Sequence, residues 1–455
     1  MSRFLLKNAT IVTGEYSRKG SLAIDGERIF GIWFDDDSQA GIEVFADAEV
    51  IDLDGKVVMA GGIDAHVHFR EPGMTHKADI ESESKAALLG GITSFIDMPN
   101  TAPPTTSMEA LEDKLEMARG RAWANYGFHI GATNDNAEEL RKYVDEGLGR
   151  KFGGIKVFMG SSTGNMLVDR YESLQKIFVI RTKEILVHSE DEWTIKTNLE
   201  KAKARFGDDI PFSEHPNIRS RKACIESTAR VLRMAIDSTT RLHVLHVTTK
   251  EEVDMIRFAK KDSPFITAET SANYLWFYDD DYRTLGSKVK CNPAIKTRDD
   301  RDALIIGLAD GTIDTIGSDH APHLISEKDG KYLKCPSGVP SIQQSMSVVL
   351  TIAHDCGIPL QRITNAFSEN VARLFGIVDR GSLKVGNYAD IVVVDPEEEF
   401  IVGKPAYKCG WCPYEGEELQ GAVKMVFVNG ILAVRDGEVV AGQCPGQELQ
   451  FLPKI

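Results

Sequence analysis

The feature that most restricts the folds open to this chain is an alternation. Short apolar runs recur at 62–69, 94–98, 127–131, 154–159, 185–188, 242–247, 265–269 and 312–317, eight in all. Between most of them lie longer amphipathic stretches, such as 108–119 and 137–146. A short apolar run bounded by turn residues reads as a buried strand. Strands that alternate with helices run parallel, because each helix carries the chain back across the sheet. Eight such units predict a closed TIM barrel. The rival is a doubly wound open sheet. No Gly-x-Gly-x-x-Gly turn follows an early strand, so a dinucleotide-binding fold loses ground.

The two ends of the chain break the alternation. Residues 4–12 and 21–29 read as short strands, with Asp25-Gly26 as a hairpin turn. Residues 389–395 and 423–434 repeat the pattern around Asn429-Gly430. We therefore expect one small β-sandwich domain built from both termini, 1–58 with 386–455, around a barrel of 59–385. A polar stretch, 324–338, follows the last barrel strand and reads as a lid or a passive insertion.

Charge and apolar runs narrow the partners. A formal net charge of −15 argues against a nucleic-acid ligand, which needs a basic surface. No apolar run approaches the roughly 20 residues of a membrane span, and the N-terminal apolar stretch is too short for a secretory signal. Seven scattered cysteines suit a reducing cytoplasm better than a disulfide framework. Cys409-Gly-Trp-Cys412 has no second pair at metal-binding spacing and reads as structural. The acidic runs Asp35-Asp36-Asp37 and Asp279-Asp280-Asp281 read as solvated loops.

In a TIM barrel the carboxyl ends of all strands open on one face. Those ends carry His66 and His68, Lys156, His188, His246 and Asp319. Residues two apart on a strand share a face, so His66 and His68 can offer two imidazoles together. Four imidazoles, a carboxylate and a lysine at one mouth have the composition of a two-metal site. Taken singly, each histidine could equally be a core residue bonded to a carbonyl. Lys156 is the odd member, because an ammonium cannot ligate a cation. It either pairs with a carboxylate or, as a neutral amine, takes up carbon dioxide to become a bridging carbamate. Arg70 points into the same mouth if the first strand persists, and suits a substrate carboxylate. Asn100 and His323 can add donors, or serve as loop caps. His320 is ambiguous, and His76, His129 and His243 read as structural.

With these residues in view, the chain resembles the amidohydrolase superfamily, and within it the dihydroorotase family. The matching segments are Asp64-Ala-His-Val-His-Phe-Arg-Glu-Pro-Gly73, Asp97-Met-Pro-Asn-Thr101, Gly154-Ile-Lys-Val-Phe158, Val187-His-Ser-Glu190, His243-Val-Leu-His246, Asn292-Pro-Ala-Ile-Lys296 and Asp314-Thr-Ile-Gly-Ser-Asp-His-Ala-Pro-His323. Gly381-Ser-Leu-Lys-Val-Gly-Asn-Tyr-Ala-Asp390 is similar to that superfamily's return into its β domain. The resemblance implies two Zn2+ per chain. His66, His68 and Asp319 would hold one, His188 and His246 the other, and carboxylated Lys156 would bridge them. Arg70, Asn100 and His323 would hold the substrate carboxylate, and Asn273 would stand near the ring. Asp319 would move the proton. The implied reaction is reversible hydrolysis of (S)-dihydroorotate to N-carbamoyl-L-aspartate in pyrimidine biosynthesis. Allantoinase and dihydropyrimidinase (hydantoinase) are the near alternatives. A metal-free assembly partner and a mononuclear deaminase are the distant ones. The expected partner is a small molecule, with no nucleic acid or membrane, and a homo-oligomer is allowed.

Overall fold

The computed structural model describes residues 3–36, 38, 41–160 and 166–452. Asp37 and the outermost residues of both ends lie outside the described residues. Asp35 and Asp36 form an exposed turn, as expected. The second acidic run differs. Asp279–Arg283 is a short 3-10 helix, and Asp281 turns back to accept the Tyr278 N–H at 2.9 Å.

The alternation becomes a closed barrel of parallel strands. They are β1 (Gly62–Val67), β2 (Ile92–Asp97), β3 (Asn125–Phe128), β4 (Ile130–Gly131), β5 (Ile155–Phe158), β6 (Ile185–His188), β7 (Leu242–Val244), β8 (Ile266–Thr270) and β9 (Thr315–Ile316). The third predicted run is split at His129 into β3 and β4. β3 pairs onward to β2 and β1, while β4 begins the ladder β5-β6-β7-β8-β9. Beyond β9, His320 bridges in parallel to Val67, and the His68 N–H donates to its carbonyl at 2.8 Å, which closes the ring.

Side-chain alternation along these strands divides the apolar residues between two cores. Ile63, Ala65, Ile96, Met98, Leu186 and Leu245 pack together with Phe375 and Phe451. Their neighbours Phe95, Val187 and Val244 instead join the larger core under the helices. The helices begin where the sequence supplies caps. Thr249 Oγ1 accepts from Glu252 N–H while the Glu252 carboxylate accepts from Thr249 N–H, opening Lys250–Asp262.

The termini form one continuous sheet of nine strands, mostly antiparallel, rather than two separate ones. Val57–Ala60 lies at its centre, parallel to Arg3–Val12 on one side and antiparallel to Ile391–Ile401 on the other. Both expected hairpins are present. Asp25-Gly26 joins Ser17–Asp25 to Arg28–Phe34, and Asn429-Gly430, both with positive φ, joins Glu418–Val428 to Ile431–Arg435. Asp390 ties sheet to barrel. It is buried against Arg380 and accepts from the Asn429 N–H at 2.9 Å and from Asn125, on β3, at 3.1 Å.

Two excursions reach the mouth of the barrel. Between Ile391–Ile401 and Glu418–Val428 the chain leaves the sheet, and Trp411 Nε1 donates to the His323 carbonyl at 2.8 Å. Cys409 and Cys412 lie buried in this excursion as free thiols, pushed up to about 12 by burial, which fits their structural reading. The 324–338 segment is a packed wall. Lys328 is buried in it and donates to the carbonyls of Lys290, Pro336 and Gly338 at 3.2, 3.0 and 2.9 Å. Lys290 adds bonds to the carbonyls of Tyr332 and Cys335 at 2.9 and 2.5 Å.

Candidate metal and substrate site

The barrel mouth is a narrow cleft lined mostly by polar side chains. His66, His68, Lys156, His188, His246 and Asp319 all line it. His66 Nε2 lies 3.4 Å and His68 Nε2 3.1 Å from Asp319 Oδ1, a group of three donors able to take one metal ion. His188 Nδ1 and His246 Nε2 lie 2.9 Å apart.

Three of the four imidazoles have their other nitrogen already occupied. His66 Nδ1 meets Glu269 Oε1 at 2.6 Å, His68 Nδ1 meets Asn100 Oδ1 at 2.7 Å, and His188 Nε2 meets Glu190 Oε2 at 2.9 Å. Each partner accepts, so it fixes a proton on the outer nitrogen and turns the inner lone pair toward the cleft. Burial disfavours the charged form of three of these rings. It pushes His68 down to about 4, and it lowers His188 and, further, His246. His246 Nδ1 is buried with no hydrogen-bond partner among the described residues. Neutral, oriented nitrogens beside a carboxylate are the donors a divalent cation requires.

Lys156 is almost fully buried on β5, and desolvation lowers its ammonium to about 7 against the opposing charges of Asp319 and Glu269. Much of it is therefore a neutral amine at neutral pH.

Arg70 reaches the cleft by a different route from the one the sequence suggested. The strand stops at Val67. Asp97 Oδ1 then accepts the Phe69 N–H at 2.8 Å, and Arg70 turns with φ +65°. His246 (φ +39°) and Asp319 (φ +48°) are also left-handed. Such backbone costs an L-residue about 1 kcal/mol or more, and these three residues all line the cleft. The Arg70 side chain is buried. Its Nε donates to the Pro322 carbonyl at 3.1 Å, and its Nη2 lies 3.1 Å from His323 Nε2.

A model of the amidohydrolase family matches residues 57–433, which covers the whole ring of strands and every residue of this cleft. The chain belongs to the amidohydrolase family. It is 34% identical over 423 residues to a dihydroorotase of Methanosarcina acetivorans, covering 90% of this chain and 88% of that one. It is 30% identical over 445 residues to an allantoinase of Streptomyces avermitilis, covering 95% and 96%. Among solved structures it matches an L-hydantoinase (dihydropyrimidinase) from Arthrobacter aurescens with a TM-score of 0.91 and 28% identity, over 99% of this chain and 100% of that one. These relatives all belong to the cyclic amidohydrolases, and this amidohydrolase chain is a hydrolase of that kind.

One asparagine of this amidohydrolase lies otherwise than expected, and another was not foreseen. Asn273 does not line the cleft. Its amide is held elsewhere, accepting from Tyr414 OH at 2.7 Å and donating to the Ser318 carbonyl at 3.4 Å. Asn292 does line it, and its Oδ1 is buried without a hydrogen-bond partner among the described residues. The sequence reading passed over Asn292 because it stands in a loop, not at a strand end. A polar residue opening Asn292-Pro-Ala-Ile-Lys296 was the signal available. Asn100 lines the cleft but also holds His68. His320 is structural: its Nδ1 accepts from Ser341 N–H at 3.0 Å and its Nε2 donates to Glu83 at 2.7 Å. His129 and His243 likewise bond Ala65 O and Thr267 Oγ1, at 2.9 and 2.8 Å.

Proposed function

We propose that this chain is a dihydroorotase, which hydrolyses (S)-dihydroorotate reversibly to N-carbamoyl-L-aspartate in pyrimidine biosynthesis. The observation that carries the choice is the buried guanidinium of Arg70 lining the cleft beside His323. A ring bearing a carboxylate gives these groups an acceptor. A neutral ring, as in hydantoinase or allantoinase substrates, offers that desolvated cation no anionic partner.

The donor set fits two zinc ions. His66, His68 and Asp319 would hold one, His188 and His246 the other, and Lys156, carboxylated on its neutral amine, would bridge them. When bound, the pair supplies an ionised water near neutral pH and polarises the ring carbonyl. The chain's own residues do the rest. Asp319 takes the proton at its carboxylate and returns it to the leaving ring nitrogen. Arg70 and His323 hold the substrate carboxylate and so orient the scissile amide. Asn100 keeps His68 in register and adds a polar contact at the rim. Asn292 Oδ1 accepts a ring N–H, from the place near the ring first expected of Asn273.

Zinc-loaded protein assayed spectrophotometrically should prefer dihydroorotate over dihydrouracil and allantoin by about a hundredfold or more in kcat/KM. A preference for either neutral ring, or no turnover of dihydroorotate, refutes the assignment.

A further inference from the structure

The chemistry above leaves Glu83 unused, although its carboxylate is fully buried on the helix Ile80–Leu89. A buried carboxylate persists only where donors surround it. Here they come from two distant parts of the chain. Oε2 lies 2.7 Å from His320 Nε2, while Oε1 accepts the Lys408 N–H at 3.0 Å and has Ser82 Oγ 2.9 Å away. His320 follows Asp319 directly, and Lys408 belongs to the excursion from the β sheet.

The His320 ring has one orientation and one tautomer. Its Nδ1 faces the N–H groups of Ser341 and Ile342 at 3.0 and 3.3 Å, and a backbone N–H only donates. The ring proton is therefore on Nε2 and points at Glu83. Tyr407, beside Lys408 in the excursion, packs on the same ring with centroids 4.7 Å apart.

The backbone of His320 in turn reaches two of the candidate metal ligands. Its carbonyl accepts the His68 N–H at 2.8 Å. Its own N–H donates to Ser318 Oγ at 3.0 Å, so the bond spans Asp319. From the other side, the Ser318 N–H is held by the Asp64 carboxylate at 3.1 Å. Asp319 is left-handed, a conformation that persists only where the surroundings enforce it.

From these contacts we propose that Glu83 is a positioning residue. Acting through His320, it holds Asp319 in its left-handed turn and His68 in register, and it ties that turn to the β-sheet excursion. The inference rests on the zinc reading of the cleft and not on the choice of substrate.

The test is zinc affinity in Glu83→Gln and Glu83→Leu, read by competition against a chromophoric chelator, with the thermal midpoint of each apo protein measured beside it. Gln matches Glu in shape but brings one acceptor oxygen to two N–H groups, so its NH2 opposes a donor. Affinity should fall about tenfold or more in both variants, and the visible spectrum of the cobalt-substituted protein should change. In turnover, kcat should fall more than KM rises. A double-mutant cycle checks the route: in a His320→Asn background, Glu83→Gln should cost less than about a further twofold in affinity. Wild-type zinc affinity and cobalt spectrum in Glu83→Gln, whatever its thermal midpoint, overturn the proposal, as does a full additive cost in the His320→Asn background. If neither Glu83 variant folds, His320→Asn decides alone, because it removes the same contact from the other side; unchanged zinc affinity there overturns the proposal. Wild-type protein that takes up no zinc overturns the metal reading, and the role of Glu83 with it.

Discussion

Gly317→Ala tests whether the outer partners of the imidazoles matter. A Cβ at residue 317 would lie 2.5 Å from Glu269 Oε2, 2.6 Å from Glu269 Cδ and 2.8 Å from His66 Cβ. Relief needs a shift of about 1 Å in a carboxylate that is packed on all sides. The bond at stake is Glu269 Oε1 to His66 Nδ1, now 2.6 Å. A displacement of that size takes it out of hydrogen-bond range and frees the His66 ring to turn. Overpacking should cost the fold about 1–3 kcal/mol. Losing the outer partner should weaken zinc binding about 10- to 100-fold. Competition against a chromophoric chelator reads the affinity, and calorimetry of the apo protein reads the stability separately. Zinc affinity equal to wild type, in a protein whose thermal midpoint has fallen, would refute the idea that Glu269 orients the ligand. An unchanged midpoint would refute the steric reasoning itself.

Three further outcomes are expected. Arg70→Ala should raise KM for dihydroorotate at least about thirtyfold, the cost of breaking a desolvated charge pair, and an unchanged KM would refute its assignment. Lys156→Met should bind about one zinc per chain in place of two by elemental analysis, because the bridging group is gone; two per chain would refute the bridge. Lys328→Met should change how stability depends on pH. Burial, reinforced by the Lys290 and Arg70 charges, lowers the Lys328 ammonium from 10.5 to about 8. The unfolded chain thus holds more protons across that window, and this lysine's contribution to stability rises as pH climbs from about 8 to 10.5. Denaturant titrations should show wild type gaining relative to Lys328→Met over that range, and parallel curves would refute the assignment.

The elements legible in the sequence were those specified by neighbours along the chain. The apolar runs, the amphipathic helices and the Asp25-Gly26 and Asn429-Gly430 turns each carry their own local signal. Strand ends then placed His66, His68, Lys156, His188, His246 and Asp319 together, since parallel strands in a ring share one mouth. What was not legible depends on residues distant in sequence. Glu269 serves His66 and Glu190 serves His188 as outer partners, yet either reads locally as an ordinary strand or loop acid. Arg70 was expected on a persisting strand, but Asp97 captures the Phe69 N–H and ends it early. Asn273 was expected near the ring from the family resemblance, whereas Tyr414, from the far end of the chain, holds its amide. The 324–338 segment reads as a polar loop until Lys328 is seen to fold inward onto three carbonyls.

The central strand Val57–Ala60, flanked by one neighbour from each end of the polypeptide, has a consequence for biosynthesis. On the ribosome its Ile391–Ile401 flank emerges only after every barrel strand has been made. Until then it presents a bare edge of Val57, Val58, Met59 and Ala60, a template for pairing with another nascent chain. Slowing elongation between the last barrel strand and Ile391 should therefore increase inclusion-body formation, and supplying the C-terminal strands in trans should reduce it.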